Sequence, residues 1–430
     1  MIEVAIIAGF VLFCAGAKVS SILCVIFFLL PIHGSIKSIV FHGGGEIFAI
    51  WKELGILVIL FKTMRNKNPY YRGLLGIASL FFIYCLFFLG IGVSEGFSVS
   101  ATVKKIFFPI LLLFAVSKSS LSETDVKKIL LCCLLGSVFV NITAVLDFIS
   151  PSMRMMFRDI MRIGYKVSSS GEVYYDVSSF KIMGIDRACG LMAGGPNQLG
   201  VFNSGIVTAG GILFLFFRNS LKKKTIKLLF VLSFSLSFFC LLISFSRAGW
   251  ALVLLLGFFL GIMNARYRKK TIAIAFVTFF FSILAYLTIP TLQMVVDGTI
   301  SGNESSSAAR AGMTQNSVLF LLEHPMGFGF GASNHSVKNF VAFAESSIVN
   351  FGYEIGVAGV LLFLLLILRI ARKIKRNIRF NCVAIIAYPL VFSYLITSFV
   401  SVNPFENPYV YYAWLMMGLA LIFPLKKNAA

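Results

Sequence analysis

The chain has 430 residues, 58% of them hydrophobic and only 13% charged, with 46 phenylalanines and a formal charge of +21; its mean hydropathy is +0.92. That balance excludes a water-soluble domain, whose core has no use for so much apolar material, and predicts an all-α polytopic membrane protein. The positive charge does not point to nucleic acid, because it collects in short connectors between apolar runs, the pattern that marks cytosolic loops.

In chain order, Met1-Ile2-Glu3 leads straight into apolar sequence without the basic region and cleavage site of a removable signal peptide, so the first helix is expected to stay. The runs Val4–Ala17 and Ser20–Pro31 flank Lys18 and give either one kinked helix or two short ones. Eleven further spans are predicted: Ile47–Phe61, Leu74–Val93, Ile106–Ser117, Leu130–Ile149, Gly190–Phe217, Leu228–Phe245, Ala251–Met263, Thr271–Ile289, Ile348–Leu368, Cys382–Ser398 and Tyr409–Leu425. The total is 12–13 transmembrane helices in a single integral-membrane domain over residues 1–430.

The connectors Lys62–Arg72, Arg218–Lys227, Arg266–Lys270 and Arg369–Arg379 contain no acid. With these and the Lys426/Lys427 tail inside, alternating spans put Ser94–Ser100, Ser246–Gly249 and Ser401–Asn407 outside, together with two large loops. The first, 150–186, places Arg154, Arg158 and Arg162 four residues apart, on one face of a helix that could meet anionic headgroups or an acidic glycan. The second, 290–347, is expected to hold short amphipathic helices.

Seven cysteines fall within apolar spans and Cys189 at a span boundary, which reads as core filling. There is no nucleotide fingerprint and no metal-ligand spacing, so no cofactor and no metal are expected. Within the membrane, Lys52–Glu53 is the clearest ionisable pair, read as a neutralised pair between helices; Glu354 is read as structural or gating. Chemistry on the outer side without a nucleotide then needs an ion gradient or a substrate that arrives already activated.

Motifs gather at the outward ends. Asp186-Arg187 leads to Gly194-Gly195-Pro196-Asn197-Gln198-Leu199-Gly200, an irregular helix start where Arg187 and Asn197 could orient a polar ligand. Ser244-Phe245-Ser246-Arg247 sets an arginine at the membrane boundary, suited to bidentate phosphate contacts. Arg310, the run His324-Pro325-Met326-Gly327-Phe328-Gly329 and Glu354-Ile355-Gly356-Val357-Ala358-Gly359 follow, with Glu345 between.

These motifs, in this order, resemble the O-antigen polymerase and ligase superfamily, specifically the Wzy-type polymerases of bacterial surface polysaccharides. The likeness spans most of the chain. It implies a glycosyltransferase of the bacterial inner membrane that uses undecaprenyl diphosphate-linked oligosaccharide as donor and acceptor at the periplasmic face. It also implies a polysaccharide chain-length regulator and membrane lipids as partners, with no nucleic acid. On this resemblance Arg247 and Arg310 stabilise the departing diphosphate, Arg187 and Asn197 bind substrate, and Glu345 is the base, with His324 and His335 as substrate-binding residues and alternative bases. Many ligase-like members carry a His-Asn pair where this chain has Glu345-Ser346. That departure favours a polymerase over a ligase; a flippase or exporter of lipid-linked glycan is the third alternative.

Overall fold

The computed structural model describes residues 2–422 apart from 42–46, 67–68, 162–164, 168–172, 176–179, 183–184, 193, 218–223, most of 265–304, 335, 338–339, 342–344 and 407. The helices are α1 (Ile2–Gly16), α2 (Val19–Leu29), α3 (His33–Phe41), α4 (Trp51–Thr63), α5 (Pro69–Ser94), α6 (Ser100–Ser117), α7 (Glu123–Ile149) and α8 (Pro151–Met161). They continue as α9 (Gly195–Ile212), α10 (Lys224–Ile243), α11 (Arg247–Met263), α12 (Ser305–Glu323), α13 (Ser347–Asn377), α14 (Cys382–Val400) and α15 (Tyr409–Ala420). Three two-stranded antiparallel hairpins decorate the loops: β1 (Tyr165–Val167) with β2 (Val173–Tyr175), β3 (Lys181–Ile182) with β4 (Ile185–Asp186), and β5 (Ser336–Val337) with β6 (Phe340–Val341).

Among the described residues eight helical stretches are long and apolar enough to cross a membrane: Val19–Phe41, Gly73–Ser94, Ser100–Ser117, Glu123–Ile149, Gly195–Phe217, Lys224–Ile243, Ser347–Asn377 and Cys382–Val400. The chain is a multi-pass membrane protein. Two shorter apolar helices, α1 and α11, join them. The N-terminus forms two helices, and the second runs through a 3-10 turn at Leu30–Ile32 into α3, because Pro31 interrupts the α-helical ladder without ending the rod. The predicted span Ile106–Ser117 starts six residues earlier, at Ser100, bringing Lys104 and Lys105 into the helix. The predicted span Thr271–Ile289 lies largely outside the described residues.

At the centre stands α15, every residue of which is buried. Only 12 residues long, it rises about 18 Å, so its last carbonyls end inside protein and need partners. Asn377 Nδ2 donates to the carbonyl of Ala420 at 2.6 Å, and Asn381 Nδ2 to that of Leu419 at 2.7 Å. At the other end of the bundle, Ser347 N–H donates to the Ser401 carbonyl and Ala188 N–H to that of Ile243.

The two ends differ in charge. Around the finish of α13 lie Arg369, Arg372, Lys373, Lys375, Arg376 and Arg379, with Lys373 reaching Gly73 just after the basic connector Lys62–Arg72, in which the Met64 carbonyl accepts from Lys118 Nζ. The opposite end carries mixed charge, including Asp147, Arg154, Asp186, Lys105 and Glu406.

Near the start of α6, Lys52 and Glu53 are 2% and 3% exposed and 2.9 Å apart, a buried ion pair. Lys52 Nζ also donates to the Ala49 carbonyl, and the Tyr411 hydroxyl of α15 donates to Glu53 Oε1 at 3.1 Å. The pair thus pins α4 to α15. Removing one partner strands the other charge, so Glu53→Ala should destabilise the protein by about 3–5 kcal/mol, whereas the double change Lys52→Met/Glu53→Leu should cost much less. Thermal unfolding in detergent measures both.

Candidate functional site

At the mixed-charge end, α9, α11 and α13 all begin, and their first turns expose backbone N–H groups that have no partner within the helix. What lets two of these starts approach is glycine. A Cβ at Gly200 would sit 2.2 Å from the Cβ of Ser246, and one at Gly249 would sit 2.6 Å from the carbonyl carbon of Gly200. The Pro-Asn-x-x-Gly sequence therefore acts as a crossing point: Asn197 occupies the first turn of α9, and Arg247 is the first residue of α11.

The turn into α11 is tight. Phe245 adopts φ 47°, a left-handed conformation that a bulky residue enters only under constraint. Ser246 then caps α11 by accepting from the N–H of Gly249, and its hydroxyl donates to the carbonyl of Asn197 at 3.1 Å. These bonds fix Arg247 next to α9.

Arg187 completes the junction. It is 5% exposed; its Nε donates to the carbonyl of Ser244 at 3.0 Å and its Nη2 to Asn197 Oδ1 at 2.5 Å. A guanidinium on the last carbonyls of α10 complements the negative end of that helix. The segment bearing Arg187 is held by Asp147, fully buried on the last turn of α7, which accepts from the N–H groups of Cys189 and Gly190 at 2.7 Å each. Arg154 bridges Asp147, at 3.3 Å, and Asp186, at 2.5 Å.

A cavity of about 770 Å³ opens beside this junction. Asn197, Arg247 and Glu345 line it, with Thr314, Gln315, Val318 and Leu319 along one face of α12, and Ser401 and Asn403 after α14. Glu345 directly precedes Ser346, which caps α13 by accepting from the N–H of Val349. The result is a space with a guanidinium, a carboxylate and three side-chain amides, where three helices begin. Its positive helix ends and Arg247 favour an anion. Its apolar side includes Val318, Leu319, Phe399 and Val400, the last 70% exposed.

The other predicted site residues fall as follows. Arg310 lies in α12 four positions before Thr314; its side chain is outside what is described. His335 lies outside the described residues. His324 does not line the cavity; it follows α12, with its ring against Phe320 and Phe328 at 4.6 and 5.5 Å between centroids. Arg187 does not line it either and acts on it through Asn197. The arginine stripe of the first large loop turns inward: Arg154 is engaged by two aspartates, and Arg158, 3% exposed, stacks over the Phe180 ring at 4.3 Å. The reason is that Asp147 and Phe180 offer partners inside the fold; Arg162 is outside the described residues.

The glycine-rich run cradles backbone. Gly327, Gly329 and Gly331 all have positive φ, and α13 is broken at Gly356, φ 68°. Phe328 N–H donates to the Tyr353 carbonyl at 2.7 Å, Gly329 N–H to that of Glu354 at 3.1 Å, and Val357 N–H to that of Pro325 at 2.9 Å. The two glycine motifs thus clasp each other, supplying the bonds that the broken helix gives up.

Sequence reasoning missed Asp147, absorbed into an apolar span; the available signal was an acid two residues from a span's end with Arg154 seven residues on. Among the described residues no three of His, Cys, Asp and Glu gather as a metal site would require.

Residues 232–364 match the family model of O-antigen ligase. This stretch is a domain of the O-antigen ligase and polymerase family. Family members are glycosyltransferases acting on lipid-linked glycans, and the matched stretch runs from within α10 through α11 and α12 into α13, hence includes Arg247, Arg310, His324, Glu345 and Glu354; Arg187 and Asn197 precede it. No curated protein matches the chain.

The clasp can be tested apart from activity. A Cβ at Gly356 would stand 2.4 Å from the Met326 carbonyl oxygen at a φ that alanine resists. Gly356→Ala should therefore lower stability by about 1–3 kcal/mol, read as a lower unfolding temperature in detergent, while Gly76→Ala, with open space around its Cα, should not.

Proposed function

We propose that the protein polymerises lipid diphosphate-linked oligosaccharide repeat units into O-antigen or a related surface polysaccharide, at the periplasmic face of the bacterial inner membrane. The observation that carries this reading is that Asn197, Arg247 and Glu345, far apart in sequence, line one cavity where three helices begin. The sidedness follows from charge: the basic finish of α13 belongs in the cytosol, which turns the cavity outward.

In this reaction the acceptor hydroxyl oxygen forms a bond to the anomeric carbon of the donor sugar, and the bond from that carbon to the diphosphate oxygen breaks. The diphosphate leaves with the electron pair. Arg247 and the helix N-termini meet the negative charge that builds on it, in a site already organised before the reaction. The hydroxyl proton passes to the carboxylate of Glu345. Asn197, held by Arg187, fixes one side of the donor, and Arg310, four positions before Thr314 along α12, is assigned to the same anion. Val318, Leu319, Phe399 and Val400 suit the polyprenyl chain of the carrier. No nucleotide is needed, because the donor arrives activated.

The family description, O-antigen ligase, supports a second reading, transfer of finished glycan to lipid A-core. Glu345 in place of an imidazole supports the first.

A strain lacking the protein decides between them. Core bearing a single repeat unit without a ladder, restored to a ladder by the gene in trans, is the polymerase result; bare core is the ligase or flippase result.

Within the site, Arg247→Ala should cut polymer formation about 10²–10³-fold, and Arg247→Lys, which keeps charge but loses the bidentate fork, should recover part of it. Wild-type ladders from Arg247→Ala at normal membrane level would sink its assigned role. Glu345→Gln should cost about 10²–10⁴-fold and Glu345→Asp less; full activity in Glu345→Gln would move the base elsewhere.

A further inference from the structure

A second cavity, of about 100 Å³, lies behind the wall of the first. The wall is built where the start of α13 meets the chain after α14: Ser347 donates its N–H, at 3.3 Å, and its hydroxyl, at 2.9 Å, to the Ser401 carbonyl. Successive residues serve the two sides. Glu345, Ser401 and Asn403 line the larger cavity, while Ser347 and Val402 line the smaller.

The smaller cavity is polar and aromatic. Glu354, 3% exposed, lines it, its Oε1 accepting from Thr102 Oγ1 at 2.8 Å and Ser333 Oγ at 2.6 Å. Lys105 and Glu406, 31% and 25% exposed and 2.5 Å apart, form an ion pair on its lining. Asn350 adds an amide, and the Phe351 and Phe405 rings meet edge to face at 4.6 Å. Carboxylates and amides accept and donate to hydroxyls, and aromatic rings pack on the apolar faces of sugar rings.

We infer that this second cavity receives the hydroxyl-bearing terminal sugar of the acceptor glycan. The inference rests on the glycosyl-transfer reading of the larger cavity. A cavity of about 150 Å³ holds a benzene-sized ring, so this one admits part of one sugar while the rest of the glycan lies in the opening.

Two ligands separate the cavities. One is the repeat-unit oligosaccharide released by mild acid from the lipid carrier that accumulates in a strain lacking the protein; without diphosphate it can act only as acceptor. The other is undecaprenyl diphosphate, which belongs to the larger cavity. Binding of each to the full-length protein in detergent is measured for wild type, for Val402→Trp, which fills the smaller cavity, and for Asn350→Leu, which removes its amide. The expected result is at least tenfold weaker oligosaccharide binding in both variants, with undecaprenyl diphosphate affinity within about twofold of wild type. A Val402→Trp protein that loses both ligands is misfolded, and Asn350→Leu then decides. No oligosaccharide binding to wild type, or unchanged binding in the variants, overturns the inference. If instead Arg247→Ala leaves undecaprenyl diphosphate binding intact, the reading of the larger cavity fails, and the oligosaccharide data judge the smaller one separately.

Discussion

The close crossing of α9 and α11 at Gly200 and Gly249 is the constraint on which the site depends. Any side chain at either position would overlap backbone or Ser246, and the helices would part by the width of a methyl group or more. With them in contact, Ser246 can bond to Asn197, Arg187 can span the end of α10 and the start of α9, and Arg247 faces the same space as Asn197. Packing without side chains is a common solution in membranes, where no hydrophobic force drives helices together and close backbone approach provides the van der Waals attraction instead.

Around that crossing the protein uses its buried polar groups in two ways. Lys52–Glu53, Asp147 with Arg154, and the two asparagines at the end of α15 satisfy backbone or opposite charge, and their work is to hold helices in register. Glu354 joins them by tying α6 and the glycine-rich turn to α13. Arg247 and Glu345 line an open cavity and sit at helix starts. A cation at a helix N-terminus adds to the partial positive charge there. On the proposed reading, the diphosphate leaving group is the anion that meets this positive potential.

The glycine motifs show how a sequence pattern can be located correctly while its physical role stays hidden. Gly327, Gly329 and Gly331 each face another stretch of backbone, Gly327 meeting Gly356 where α13 is broken. The helix break is repaired by Phe328, Gly329 and Val357. The clasp docks the end of the large loop on α13, the helix whose first residues follow Glu345.

Taken alone, the sequence determined the class of molecule and supported an expectation of its sidedness. Apolar runs of membrane length and acid-free basic connectors are local properties, so the multi-pass architecture, the candidate outer loops and the family domain could be read residue by residue. Arg247, Asn197 and Glu345 could be named as well, because an arginine, an asparagine beside proline and glycines, and an acid before a helix start are each conspicuous against an apolar background. Tertiary structure alone decided which of the named residues meet. It set Arg187 behind Asn197 rather than in the cavity, turned Arg154 and Arg158 inward, left His324 among phenylalanines, and brought in Asp147 from within an apolar span. Those outcomes depend on which side chains lie within about 3 Å of one another across distant helices, and no spacing along the chain encodes that.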